Sequence, residues 1–261
     1  MIESHPRLGF AVLGGVLVAL VALVVIFVRG SAEVSGFDLA AAPSLVPAPQ
    51  QAPEQAPQGG RTTRPSRSES RAPRRVDPAW AARVGRLAGI PVPAMSAYAD
   101  AELVMAEQAP GCHLAWNTLA GIGWVESQHG TIDGRTLLAD GRSSRPVIGP
   151  ALDGSSYAAI RSTPTSRTWH DDATWEHAVG PLQFIASTWQ KWGTDGDGDG
   201  AADPLDIDDA ALTAADYLCA DGHDLSTPAG WSAAVHSYNH DDAYVRNVLS
   251  AADAYAARTA S

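Results

Sequence analysis

The stretch that decides the fold is Gly121-Ile-Gly-Trp-Val-Glu-Ser-Gln-His-Gly130. Apolar side chains follow each other at helical spacing through this stretch and the residues before it. They are Trp116, Leu119, Ile122 and Val125. The spacing predicts a helix from Leu114 to His129, with Gly130 able to act as the residue that ends it.

Glu126 falls in the last turn of this predicted helix. The helix dipole places partial negative charge at that end, and the neighbouring side chains are apolar, so both effects disfavour a carboxylate and raise its pKa. A carboxyl group that stays protonated near neutral pH can act as a general acid. A single glutamate on a helix is more often a surface charge, so the spacing alone does not decide between the two interpretations.

Helical patterns also dominate the rest of the chain after Asp77, and strand signals are weak. The predicted helices are Met95 to Gln108, Gly180 to about Trp192 with Pro181 at N1, Ala210 to Ala220 capped by Asp208 or Asp209, Trp231 to Asn239, and Asp242 to Ala257. Residues 131–179 are rich in Gly, Ser, Asp and Pro, and such a long connection is usually functional or mobile. The predicted fold class is mainly α.

Two further segments follow the first stretch in order. They are Gly180-Pro-Leu-Gln-Phe-Ile-Ala-Ser-Thr-Trp189, and Ala234-Val-His-Ser-Tyr-Asn-His240 with Tyr244-Val245 after it. The three segments together resemble the three motifs of lytic transglycosylases with a lysozyme-like SLT domain. Val147 to Gly154 and Tyr217 to Ala220 further resemble the membrane-linked actinobacterial branch related to the MltB type. The resemblance covers roughly residues 93–250 and implies a lysozyme-like helical domain whose cleft binds peptidoglycan.

The resemblance implies a role for particular residues. Glu126 matches the catalytic acid/base, and the substrate-binding positions are matched by Ser127, Gln183, Tyr238 and Asn239. Three structural alternatives stay open. Gln183 can simply cap its helix, Tyr238 can be a core ring with a satisfied hydroxyl, and Asn239 can fix the helix turn.

Ordinary glycosidases use two carboxyl groups, and the three motifs supply only one. Asp171, Asp172 and Glu176 are the nearby candidates for a second, and solvated loop charges are an equally simple interpretation. With one carboxyl group the substrate's own N-acetyl group can attack the anomeric carbon. The sequence therefore favours a lyase that forms 1,6-anhydroMurNAc ends and needs no catalytic cofactor. The alternatives are a hydrolytic muramidase and a non-catalytic peptidoglycan-binding module.

An acidic loop with the spacing of a calcium site begins at Asp195. Oxygen ligands at positions 1, 3, 5, 7, 9 and 12, with Gly200 at position 6, are the pattern of such loops. The predicted ligands are Asp195, Asp197, Asp199, the carbonyl of Ala201, Asp203 and Asp206. Asp208 or Asp209 can compete for the last position, because Asp206 is shorter than the usual Glu. The sequence predicts a structural Ca²⁺, the alternative being an acidic turn without a cation.

The N-terminal part of the chain has a different character. Leu8 to Val28 is an uncharged run of the length that crosses a membrane. We expect a cytoplasmic tail at 1–7, an uncleaved anchor at 8–28, a disordered Pro/Ala/Arg-rich linker at 29–76, and the enzymatic domain at 77–261. A cleaved secretory signal is the alternative to the anchor, and a solvated spacer is the alternative to a linker that touches lipid or wall polymer.

Charge and cysteine content agree with a domain outside the cytoplasm. Residues 77–261 carry ten Lys/Arg against twenty-four Asp/Glu, so nucleic acid is a poor partner. Both cysteines, Cys112 and Cys219, lie in this acidic part. An even cysteine count outside the cytoplasm predicts a disulfide, whereas two buried thiols are the alternative without an anchor.

Overall fold

The computed structural model describes residues 75–155 and 158–260. This part of the chain is mainly α-helical, as predicted, with eight α-helices, two short 3-10 turns and one two-stranded antiparallel sheet. The helices are α1 (Pro78–Ala88), α2 (Val92–Gln108), α3 (Trp116–Ser127), α4 (Arg167–His170), α5 (Ala186–Trp192), α6 (Ile207–Cys219), α7 (Pro228–Tyr238) and α8 (Asp242–Thr259). The strands are β1 (Ile148–Ala151) and β2 (His177–Val179).

Helix α3 runs through the core and is apolar on nearly every side up to Gly123. Trp116, Leu119 and Ile122 are fully buried. Gly121 brings α3 close to α8, because a Cβ there would lie 2.7 Å from the Val248 carbonyl oxygen. A helix that is apolar all round is a core helix, so the stretch that bears Glu126 is enclosed by the rest of the domain.

The end of α3 differs from the prediction by two residues. Gln128, His129 and Gly130 all adopt left-handed backbone angles, with φ of 53°, 61° and 80°. His129 is held there between two hydroxyl groups, with Nδ1 3.1 Å from the Tyr98 hydroxyl and Nε2 2.8 Å from the Tyr255 hydroxyl. Burial lowers the pKa of His129 to about 3, so the ring is neutral. These buried contacts offset the backbone cost of the sharp end.

Helices α2, α6 and α7 each begin three residues earlier than the apolar pattern suggested, whereas α8 begins at Asp242 as predicted. Polar or Pro-containing caps explain the extra turns: Asp206 caps α6, and Thr227 caps α7 ahead of Pro228. The sequence pattern missed α1, which Asp77 caps through the Trp80 amide at 2.8 Å.

The prediction of a helix starting at Gly180 was wrong. Residues 180–183 form a turn, and α5 starts only at Ala186. Gly180 and Gln183 have left-handed φ values of 77° and 53°, which no helix accommodates. The turn is closed by two backbone bonds between Val179 and Phe184, of 2.9 and 3.0 Å. The second motif is therefore a rigid turn that extends from β2.

Residues 131–179 hold more structure than their composition suggested. β1 and β2 pair with Ile148 opposite Val179 and Ala151 opposite His177, and α4 lies between them in sequence. Backbone bonds of Ile160 to Leu152 and of Glu176 to Ile160 widen this small sheet.

The predicted N-terminal anchor, its short tail and nearly all of the linker lie outside the described residues. No helix within residues 75–155 and 158–260 is long and apolar enough to cross a membrane. Arg75 and Val76 already belong to the folded part, since both bind the Asp100 carboxylate, at 3.1 and 2.5 Å. These two residues precede the predicted boundary at residue 77.

The predicted disulfide is confirmed. Cys112 and Cys219 are joined across 107 residues of chain. The bond ties the connection that leads into α3 to the C-terminal end of α6.

Candidate active site

Glu126 is half-buried in the last turn of α3. Its Oε1 accepts a hydrogen bond of 2.6 Å from the Tyr244 hydroxyl. Burial raises the pKa of Glu126 to about 7, although the hydrogen bond from Tyr244 acts in the opposite direction. A carboxyl group with this pKa can give and take a proton near neutral pH, which is the property that the sequence predicted.

Tyr244 was not among the predicted site residues, and it is the side chain that contacts Glu126. It lies in the first turn of α8, six residues after Tyr238. The two rings stack with their planes 6° apart and their centroids 6.5 Å apart. The third motif includes Tyr244, but the sequence assigned it no role, because its contact with Glu126 depends on where α8 crosses α3.

Tyr238 links the second and third motifs. Its hydroxyl donates to the Leu182 carbonyl oxygen at 2.8 Å, and its ring packs edge-on against Phe184 at 5.7 Å. Tyr238 lies close enough to Glu126 for the carboxylate to raise the pKa of its hydroxyl, after the larger effect of burial. Tyr238 thus lies near Glu126, as the resemblance implies, and its ring stacks on that of Tyr244.

Ser127 is fully buried. Its hydroxyl donates to the Pro181 carbonyl oxygen at 2.5 Å and accepts from the Gly130 amide at 2.7 Å. Both capacities of the hydroxyl are therefore used within the protein. This placement does not fit a direct contact with substrate; Ser127 instead fixes the end of α3 against the turn of the second motif.

Gln183 lies beside β1 with its side-chain amide held in place. Nε2 donates to the Gly180 carbonyl oxygen at 2.9 Å, which closes the turn. Oε1 lies so close to Gly149 that a Cβ added there would come within 2.7 Å of it. Gln183 therefore stabilises the turn and does not cap α5, its Oε1 faces β1, and its contact with substrate stays a prediction.

Asn239 ends α7 and is exposed. The backbone N–H of Asn239 donates to the Val235 carbonyl oxygen, and its backbone carbonyl oxygen accepts from the Asp241 N–H at 2.8 Å. The residue shapes the corner between α7 and α8, and this corner brings Tyr238 and Tyr244 together.

The three candidates for a second carboxyl group lie between α4 and β2. Glu176 is buried and lies 3.5 Å from His170. Hydrogen bonds from the backbone of Thr174, from His177 and from the Trp175 backbone lower the pKa of Asp172 to about 2. Asp171 ends α4 in a left-handed conformation. The pKa of Glu126 is shifted by burial and by the hydrogen bond from Tyr244.

Three carboxylates of the acidic region converge on one point. Oxygens of Asp195, Asp197 and Asp209 all lie within 4.8 Å of one another. Asp195 also accepts from the amides of Gly198 and Gly200, so the start of the loop is wound around its carboxylate. Burial raises the pKa of Asp209, and hydrogen bonds from the Asp203 and Gly196 amides partly oppose this effect.

The later predicted ligand positions form hydrogen bonds and an ion pair within the protein. Asp206 caps α6 by accepting from the Asp208 amide, and Asp203 pairs with Arg142 at 2.6 Å. Asp199 accepts from the amide of Ala201 at 2.8 Å. Asp209 lies beside Asp195 and Asp197 because a side chain at the third position of a helix points back toward the residues before it.

The family comparison matches the later part of the domain. Residues 167–250 match the family model described as "Transglycosylase SLT domain". The match spans the second and third motifs and ends before reaching Glu126 on its N-terminal side. It confirms the resemblance to SLT-type lytic transglycosylases for this part of the chain. No curated protein matches the chain.

Two solved structures are similar to the described domain. One is the Escherichia coli lytic transglycosylase Slt35 in complex with bulgecin A, with 17% identity, 74% of this chain and 82% of that chain covered, and a TM-score of 0.42. The other is the same E. coli enzyme in complex with calcium, with 16% identity, coverage of 71% and 77%, and a TM-score of 0.43. At these identities and TM-scores the likeness carries no conclusion about activity or metal binding.

Proposed function

We propose that the chain is a lytic transglycosylase that cleaves the MurNAc–GlcNAc β-1,4 bond of peptidoglycan with Glu126 as its single acid/base. The observation that carries the proposal is the half-buried Glu126, whose pKa is raised to about 7 and whose Oε1 is held by Tyr244. The match of residues 167–250 to the transglycosylase SLT domain supports the substrate class.

The reaction proceeds in two proton transfers at one carboxyl group. Protonated Glu126 donates its proton to the glycosidic oxygen as the bond to the MurNAc anomeric carbon breaks, and the N-acetyl carbonyl oxygen bonds to that carbon. The Glu126 carboxylate then takes the proton of the MurNAc 6-hydroxyl, whose oxygen displaces the acetamido group and closes the 1,6-anhydro ring. The enzyme returns to its protonated form, and no water is consumed.

The product distinguishes this reaction from its nearest alternative. Mass spectrometry of digested glycan strands should show MurNAc ends lighter by one water than hydrolysed ends. Ends of the hydrolysed mass would identify a muramidase instead. If the wild-type chain leaves the strands intact, the remaining interpretation is a non-catalytic peptidoglycan-binding module.

The hydrogen bond between Tyr244 and Glu126 predicts a pH effect. The pKa of Glu126 is about 7, so turnover should fall as the pH rises through this value and the acid loses its proton. The Tyr244 hydroxyl stabilises the carboxylate, so Tyr244→Phe should move this alkaline limb to higher pH. The measurement is kcat against pH for both forms.

Tyr217→Phe is the matched control, because the Tyr217 hydroxyl donates to the Ser237 carbonyl oxygen at 2.9 Å. The alkaline limb of the kcat–pH profile of Tyr217→Phe should coincide with that of the wild type. An unmoved or lowered limb in Tyr244→Phe would show that the phenol does not act on the acid.

The proposal places the domain outside the cytoplasm, held to the membrane by the uncharged run at residues 8–28. The disulfide between Cys112 and Cys219 supports this, since such bonds persist in oxidising compartments. Peptidoglycan, the proposed substrate, lies on the same side of the membrane.

We also propose that Asp195, Asp197 and Asp209 hold a structural Ca²⁺. Three carboxylates within 4.8 Å repel one another, and a hard divalent cation is the partner that such oxygens prefer. The ion would fasten the loop after α5 to the first turn of α6. It takes no part in the proton transfers at Glu126.

Calcium should therefore raise the melting temperature of the chain. At a hundred times the dissociation constant the gain is about 2.7 kcal/mol. Asp209→Asn should abolish the shift, whereas Asp206→Asn should keep it, because Asn also caps helices. No shift in the wild type would exclude the ion, and loss of the shift in Asp206→Asn alone would restore the ligand set predicted from the sequence.

A further inference from the structure

An open groove of about 470 Å³ lies at the surface where α2, α5 and α6 end. This volume is in the range of small-ligand sites. Its wall includes Gln108, Trp192, Thr194, Asp216 and the disulfide residue Cys219. None of these residues takes part in the proton transfers proposed for Glu126.

The groove wall carries one acidic and one basic side chain, Asp216 and Lys191, together with the ends of two long helices. Helices α2 and α6, of 17 and 13 residues, both end here and carry no basic residue in their last turns. The C-terminal end of a helix carries partial negative charge. The Asp216 carboxylate adds a full charge to the same wall.

Asp216 is short of a partner. Its Oδ2 accepts from the Thr194 hydroxyl at 3.1 Å, but the same hydroxyl also donates to the Trp192 carbonyl oxygen at 2.9 Å. Within the described residues Asp216 forms no ion pair. Burial raises the pKa of Asp216, and the Thr194 hydrogen bond only partly opposes the rise. A cation beside this carboxylate would compensate for its burial.

An ammonium group already occupies the neighbouring aromatic surface. The Lys191 Nζ lies over the Trp192 ring, 4.6 Å from its centroid. Lys191 is exposed and makes no ion pair among the residues that the structure describes. The contact shows that the Trp192 ring accepts a primary ammonium by a cation–π interaction. The flexible lysine side chain can leave the ring when another cation enters.

Ring contacts connect the groove to the acid. Trp192 packs edge-on against Tyr217 at 5.7 Å, Tyr217 against Tyr238 at 5.8 Å, and Tyr238 stacks on Tyr244. The groove thus lies three ring contacts from the side chain that holds Glu126. A peptide of three to five extended residues spans about 10 to 18 Å. The three centroid distances place the Trp192 and Tyr244 rings at most about 18 Å apart, which is within the length of such a peptide.

We propose that this groove binds the side-chain ammonium of the diamino acid in the peptide stems of peptidoglycan, between Asp216 and the Trp192 ring. The inference rests on the proposed function for the source of the peptide. It assigns to the enzyme a preference for strands whose stems keep a free amine over strands whose amines are blocked by cross-links.

A binding measurement tests the groove without any turnover. The probe is N-acetyl-L-alanyl-γ-D-glutamyl-L-lysine, titrated by calorimetry into the full-length chain, and the comparison is the same peptide acetylated on its lysine side chain. Acetylation should weaken binding about tenfold, as loss of a charged hydrogen bond does. Asp216→Asn should lower the affinity for the free-amine peptide to that of the acetylated one.

Two further variants sharpen the result. Lys191→Ala should bind the free-amine peptide more tightly, because it removes the internal competitor. Asp253→Asn, on α8 outside the groove, should behave as the wild type and controls for the lost charge. Equal binding of the two peptides by the wild type, or a wild-type preference in Asp216→Asn, would overturn the proposal.

Activity then separates this inference from the proposed function. On glycan strands with free or acetylated amines, the wild type should show a KM about tenfold lower on the free-amine strands, with similar kcat. Cleavage of both at equal KM would refute the groove alone. Selective peptide binding without any cleavage would refute the proposed function, whereas the proposal that the groove binds an ammonium group would remain.

Discussion

Glu126→Gln is expected to lower turnover on peptidoglycan by about 10²- to 10⁴-fold, the contribution of general acid–base catalysis. The amide fills nearly the same volume and can still accept from Tyr244, but it has no proton to give to the glycosidic oxygen. The measurement is the rate of release of soluble muropeptides from purified sacculi, with wild type and variant at equal concentration.

The fold should survive this change. Because burial raises the pKa of Glu126, its carboxylate costs stability as the pH rises from the ordinary value through about 7. Gln removes that cost, so the variant should melt no lower than the wild type at pH 8. Glu176→Gln is the comparison for a buried carboxyl away from the acid, and it should retain most of the activity. Full activity in Glu126→Gln would refute the assignment.

The sequence predicted those parts of the fold in which local pattern and tertiary packing agree. The spacing of Trp116, Leu119 and Ile122 placed α3, because the same residues are fully buried. The pattern failed at Gly180, where Pro181 mimics a helix start. The Pro204 carbonyl oxygen lies so close to Gly180 that a Cβ there would clash with it. This contact joins residues far apart in the chain, so the local sequence does not predict it.

The same distinction separates the parts of the site. Glu126 was found because its motif and its place at a helix end are both local. Tyr244 was missed, since its contact with Glu126 joins residues 118 apart in sequence. Asp209 was named only as a competitor for the cation, because the ideal loop spacing ends at Asp206. The helix that starts there turns the side chain three residues later toward the loop.

Removal of the disulfide should produce the largest loss of stability among the changes considered. The bond between Cys112 and Cys219 closes a loop of 107 residues. In the chain-entropy account, a loop of about 100 residues contributes about 4.7 kcal/mol, and removed native disulfides typically cost about 2–5 kcal/mol. For a domain of this size the melting temperature should fall by roughly 10 °C.

A double-mutant cycle gives this expectation its sharpest form. Either Cys112→Ala or Cys219→Ala breaks the same covalent bond, so each single variant should lose nearly the whole amount and the double variant should lose little more. The reduced wild type should melt close to the variants. Additive losses of unfolding free energy would mean that the cysteines stabilise the domain by packing as buried side chains and that the disulfide bond contributes nothing. In the reducing cytoplasm the disulfide would be lost, and the domain would lose this stability. Strong coupling between the two cysteines would therefore also support the proposed location outside the cytoplasm.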